Sequence, residues 1–130
     1  MLPYRGLWAS AMAGLSALGI EDDSVALHSA PMFHLADFGL TMAMLLAGAA
    51  HAIVPVFDPE QVLAAIARYR VTHALLVPTM IGMLIMHPKV MESDLSSLRM
   101  LTYGGSPIPE AILIETMRVL PGAAWPKLME

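Results

Sequence analysis

The chain has 130 residues, 57% hydrophobic and 14% charged, with no cysteine and a formal net charge of −4. The lack of cysteine excludes a disulfide scaffold and a thiolate metal site, and the apolar, weakly charged composition excludes intrinsic disorder. Seven scattered basic residues against eleven acidic ones offer no patch for phosphates, so no nucleic-acid partner is expected.

Near the N-terminus, Arg5 is followed by an apolar run over 7–18 that has the outline of a weak signal peptide. Ser10, Gly14 and Ser16 dilute that run, and an ordinary helix reads better. The acidic turn Glu21-Asp22-Asp23 introduces a strand over 24–29, which Pro31-Met32-Phe33-His34 closes. Residues 36–46 read as a helix that is apolar nearly all round, as in the interior of a large protein.

Residues 38–57 carry no formal charge and are long enough to cross a bilayer. Gly48, His51 and Pro55 interrupt that stretch, and a buried helix followed by a buried strand over 52–56 gives the same hydropathy. No transmembrane span is therefore expected.

Asp58-Pro59-Glu60-Gln61 opens the best-signalled helix in the chain. Asp58 suits the cap, Pro59 the first helical position, and Gln61 a capping-box spacing. Val62, Ile66 and Tyr69 form its apolar face, and Arg68 and Arg70 lie at the end where the helix dipole favours cations. A strand over 71–77 stops at Pro78. Thr79 is the candidate cap of a short Met-rich helix ending at Met86. A polar loop covers 92–97, a strand 99–103, a turn Gly104-Gly105-Ser106-Pro107, and a helix 109–120.

The alternation of strand and helix predicts an α/β fold: parallel-sheet βαβ layers with helices on both faces. Both faces of every predicted strand are apolar, yet only about four strands are present, so the sheet edges need partners. That imbalance reads as an incomplete piece of a larger domain.

Two groups of residues suggest chemistry. The Gly104-Gly105 pair, between a strand and a helix, lets backbone amides approach a ligand at the carboxyl edge of a parallel sheet. It is neither a dinucleotide fingerprint nor a nucleophile elbow, so Ser106 is not read as a nucleophile. His34 and Asp37 are three residues apart, the spacing of an oriented imidazole or a metal pair on one helical turn. His28, His51, His73 and His87 lie in separate segments without ligand spacing and are read as non-catalytic. The twelve methionines are core fillers whose adaptable packing also suits an apolar substrate tunnel.

Six strings in register then resemble the AMP-forming acyl-CoA synthetases, the adenylate-forming family. They are Pro31-Met32-Phe33-His34, Phe57-Asp58-Pro59-Glu60, Arg70-Val71-Thr72-His73, Val77-Pro78-Thr79-Met80, Asp94-Leu95-Ser96-Ser97-Leu98-Arg99 and Tyr103-Gly104-Gly105-Ser106-Pro107-Ile108-Pro109. The resemblance implies a two-step reaction: a carboxylate attacks the α-phosphate of ATP to give an acyl-adenylate, and the thiol of coenzyme A then displaces AMP.

By that resemblance, His34 closes the acyl pocket, with Leu35 and Ala36 lining it and Val77 and Thr79 near its wall. Gly104, Gly105 and Ser106 flank the adenine and the acyl chain. Amino-acid-activating members carry Asp near the position of His34, so a fatty or aromatic acid without an α-amine is implied. The family uses ATP, magnesium and coenzyme A. Residues 1–130 are expected to be a partial N-terminal AMP-binding (adenylation) domain that lacks the phosphate loop and the C-terminal domain. None of these cofactors is expected to bind well to it, no catalytic residue or metal ligand is assigned, and the chain alone is expected to be inactive.

The implied location is cytoplasmic, or peripheral at a membrane, with self-association through exposed apolar surfaces. The alternatives are a non-catalytic interaction module and a small membrane-associated protein.

Overall fold

The local signals are obeyed most closely in the middle of the chain. The structure, a computed structural model, describes residues 4–30 and 34–124. Helix α3 (Pro59–Tyr69) starts as its sequence dictates: the Asp58 carboxylate accepts from the Gln61 amide at 2.9 Å, and Pro59 occupies the first turn. It ends at Arg70, which sits in the left-handed region at φ 53° and ψ 46°. Val62, Leu63, Ala65 and Ile66 form its buried stripe; each large aliphatic side chain there contributes about 1.5–3 kcal/mol by leaving water.

The other helices are α1 (Tyr4–Ala17), α2 (Leu35–Ala47), α4 (Pro78–Ile85) and α5 (Glu110–Val119). The strands are β1 (Val25–His28), β2 (Ala50–Ile53), β3 (His73–Leu76) and β4 (Met100–Tyr103). A 3-10 turn over Pro88–Glu92, for which the sequence predicts no element ahead of the polar loop at 92–97, follows α4; His87-Pro88 starts it, and the His87 ring accepts from the Lys89 amide.

All four strands are parallel, in the order β2-β1-β3-β4. Strand alternation divides the interior in two. On one face Leu27, Ala52, Ala74, Leu76 and Leu101 pack with α3, α4 and α5. On the other, Ala26 and Leu75 pack with Leu40, Ala43 and Met44 of α2 and the segment after α1. The α/β architecture with helices on both faces is thus as the sequence predicts.

Two expectations are corrected. The strand expected over 52–56 is β2, two residues earlier, because Gly48 at φ 71° turns the chain out of α2 straight into the sheet. Thr79 does not cap the Met-rich helix: Val77 is the N-cap residue, makes no side-chain cap bond, and Pro78 takes the first turn. Among the described residues, no helix is long and apolar enough to cross a membrane. The uncharged stretch over 38–57 is instead the rest of α2, then β2 and the turn to α3.

Candidate functional site

A parallel sheet collects the ends of its strands on one edge, and the loops leaving that edge are where ligands bind. Here the turn after β1 leads to His34, the turn after β3 holds Val77 and Thr79, and the turn after β4 holds Gly104, Gly105 and Ser106. The strand order puts β3 between β1 and β4, so these segments leave neighbouring positions of one edge. Three separate stretches of sequence therefore meet at one rim. Leu35 and Ala36 open α2, and their side chains lie outside the described residues, as do Pro31, Met32 and Phe33.

The glycine turn is shaped by its backbone. Gly104 is buried at the end of β4, whereas Gly105 and Ser106 are exposed. Gly105 has φ 84°, a conformation that side chains with a Cβ rarely adopt. A Cβ added there would meet Val77 Cγ1 at 3.7 Å, an ordinary contact. Glycine is thus required by the dihedral, and the Val77 side chain lies directly beside the turn. Thr79 is exposed, one residue beyond the buried Pro78. His34 is exposed, and its carbonyl accepts from the Phe38 amide at 3.0 Å, which ties it to the first turn of α2.

The expected pairing of His34 with Asp37 is corrected. The Asp37 carboxylate, 1% exposed, is engaged by His28, whose Nδ1 lies 3.1 and 3.0 Å from its two oxygens. His28 is equally buried, and its Nε2 lies 2.8 Å from Nδ1 of His51. Burial, then the neighbouring His28, hold His51 below the ordinary histidine pKa, against an opposing pull from Asp37. Sequence reading assigned His28 and His51 no role. The usable signal was that consecutive strands joined by a helical crossover tend to be neighbours, with Asp37 on the connecting helix.

His73, also buried, has a separate task. Its Nε2–H donates to the Leu18 carbonyl at 2.9 Å, and its Nδ1 lies 2.8 Å from Thr72 Oγ1. Desolvation is the largest influence lowering its pKa. His73 fastens the segment after α1 onto β3.

A concavity of about 320 Å³ opens at the opposite, amino edge of the sheet between Asp23, Val25, Arg70, Thr72, Ser96, Ser97 and Arg99. Its cations already have partners: Arg70 pairs with Asp94 at 2.8 Å, and Arg99 with Asp23 at 2.8 and 3.0 Å. No group of three or more His, Cys, Asp or Glu that could hold a metal ion occurs among the described residues.

A family model described as AMP-binding enzyme matches residues 1–129. The chain belongs to that family. It is 38% identical over 110 residues to a feruloyl-CoA synthase from Amycolatopsis sp, covering 84% of this chain and 22% of that protein. It is also 38% identical over 119 residues to an indoleacetate–CoA ligase from Aromatoleum aromaticum, covering 91% and 23%. The chain thus spans between a fifth and a quarter of the length of these relatives.

Among solved structures, the amide bond synthetase McbA from Marinactinospora thermotolerans superposes with a TM-score of 0.80 at 31% identity, over 88% of this chain and 23% of that one. The N-terminal domain of FACL13 from Mycobacterium tuberculosis reaches a TM-score of 0.85 over 95% of this chain and 31% of that one; at 22% identity that likeness concerns the fold.

Proposed function

We propose that these residues form the acyl-pocket wall and the adenine-flanking turn of an ATP-dependent carboxylate–CoA ligase acting on an aromatic or fatty acid. The observation that carries this reading is the convergence of His34, Val77 and the Gly104–Gly105–Ser106 turn on one carboxyl edge, in a chain of the AMP-binding family. The relatives' names support the substrate class. Feruloyl-CoA synthase and indoleacetate–CoA ligase act on aryl acids, and a fatty acid–[acyl-carrier-protein] ligase from Streptomyces coeruleorubidus is 33% identical over 112 residues.

In the first step a carboxylate oxygen attacks the α-phosphorus of ATP and pyrophosphate leaves. In the second the coenzyme A sulfur attacks the acyl carbon, AMP leaves, and the thiol proton passes to solvent. His34 and Val77 would bound the acyl group, with Leu35, Ala36 and Thr79 around it. The turn at Gly104, Gly105 and Ser106 would lie against the adenylate, where a missing side chain permits close backbone approach. The described residues present no carboxylate set suited to magnesium, so no step is assigned through it.

Holding and neutralising the transferring phosphate dominates such catalysis, and among the described residues of these segments no side chain is assigned that task. The 130-residue chain alone is therefore read as inactive and weak in nucleotide binding; its location is read, from the family resemblance, as cytoplasmic or peripheral at a membrane. Its exposed apolar side chains, Tyr4 and Trp8 on α1 and Ile53 and Val56 at the β2 edge, favour self-association. Light scattering would show that as species heavier than one chain.

The pocket is tested by titrating the 15N-labelled chain with a non-hydrolysable aryl-adenylate. Resonances of His34, Val77, Gly105 and Ser106 should shift together, and no thioester should form with ATP, acid and coenzyme A. Shifts confined to Arg70 and Arg99 would overturn the pocket; thioester formation would overturn the inactivity.

A further inference from the structure

The sheet face beneath α2 carries a polar chain that the pocket does not use. Asp37 lies in the first turn of α2, His28 ends β1, and His51 is the second residue of β2. Three elements are therefore linked through buried or half-buried atoms in the order Asp37, His28, His51.

The proton positions follow from chemistry. An ionised carboxylate only accepts hydrogen bonds, so the proton between Asp37 and His28 belongs to His28 Nδ1. A neutral imidazole protonated at Nδ1 has a bare Nε2, which can only accept. With the His28 ring neutral, the proton between the two rings belongs to Nδ1 of His51, and Nε2 of His51 is left as a lone pair. That Nε2 is buried and has no hydrogen-bond partner. Burial, the largest influence on His51, favours its neutral ring. The ring centroids lie 5.0 Å apart with the planes at 19°, as two imidazoles joined nearly edge to edge by that bond are.

The chain of bonds acts on the turn before α2. Asp37 is three residues from His34, in the same helical turn, since the Phe38 amide donates to the His34 carbonyl. The Thr41 hydroxyl donates to the Asp37 carbonyl at 2.9 Å, which fixes the same turn from its other side. His28 and His51 stand on paired strands, with His28 opposite Ile53 and His51 opposite Ala26. Holding Asp37 to those strands fixes where α2 begins.

We propose that Asp37, His28 and His51 are the positioning residues of the turn that carries His34, joined in a relay that sets both histidines in the Nδ1–H form. The role of His34 rests on the pocket reading above; the relay does not. Free imidazoles prefer the Nε2–H form, so an Nδ1–H pair is a signature that packing alone would not produce.

The test is histidine 15N NMR of the chain at pH 8, in solution or by magic-angle spinning. In the wild type, Nδ1 of both His28 and His51 should be protonated and both Nε2 atoms bare. In Asp37→Ala the Nδ1–H form of His51 should fall from the dominant to the minority species, although the Asp37 carboxylate reaches His28 and not His51, and the His34 resonances should move. A wild-type His51 in the Nε2–H form overturns the relay, and so does an Asp37→Ala variant in which His51 and His34 are unchanged. Should that variant fail to fold, the wild-type spectrum alone decides. The expected tautomers, together with no response of Gly105 and His34 to the aryl-adenylate, would sink the pocket and leave the relay standing.

Discussion

Gly105→Ala probes the turn on which the proposed pocket depends. Gly105 has φ 84°, and the new Cβ would meet Val77 Cγ1 at 3.7 Å, so the change adds dihedral strain and no clash. Left-handed backbone costs a residue with a Cβ about 1–2 kcal/mol, offset by about 0.4–1 kcal/mol because alanine stiffens the unfolded chain. The net loss is near 1 kcal/mol, which lowers a urea midpoint by about 0.5 M at a slope of about 2 kcal/mol/M. Circular dichroism in urea measures it. Val77→Ala in the same background separates strain from contact: a dihedral origin predicts a coupling below about 0.5 kcal/mol. A neutral Gly105→Ala, or rescue by Val77→Ala, would refute the reasoning.

Three further outcomes are expected. His73 is held below the ordinary histidine pKa, so the unfolded chain takes up its proton first as the pH falls. The stability it contributes is complete above the unfolded value of about 6.5 and is lost as the pH drops through the folded one; urea melts at pH 7.5 and 5.0 should show the loss, and it should shrink in His73→Gln. Asp58→Ala removes the α3 cap and should lower stability by about 1 kcal/mol. At position 70, glycine should be more stable than alanine by about 1 kcal/mol in the same melts, because both variants lose the Asp94 partner and only alanine keeps the left-handed strain.

Elements with strong local signals were legible in the sequence. Asp58-Pro59 marks the start of α3 through a hydrogen bond and a fixed dihedral, both local properties. The alternation of strand and helix implies a parallel sheet, and the Gly104-Gly105 turn stands out because a positive φ demands glycine at position 105. The start of β2 was not legible, since the same apolar run continues through the end of α2 and only the backbone at Gly48 divides them.

The partner of Asp37 was not legible for a different reason. Chain order gives which strand comes next, whereas the contact between His28 and His51 depends on β1 and β2 lying side by side. His34 is near Asp37 in sequence, but the carboxylate turns inward to the sheet.

The absence of cysteine makes the central claim open to a direct measurement. A His34→Cys, Ser106→Cys pair treated with a bismaleimide tests whether the turns after β1 and β4 face one cleft; those strands are two spacings, about 10 Å, apart. The account predicts intramolecular cross-linking with a linker of about that reach, suppressed by an aryl-adenylate analogue. It also predicts none for His34→Cys with Ser97→Cys at the amino edge. Equal yields for the two pairs, or cross-links only between separate chains, would contradict it.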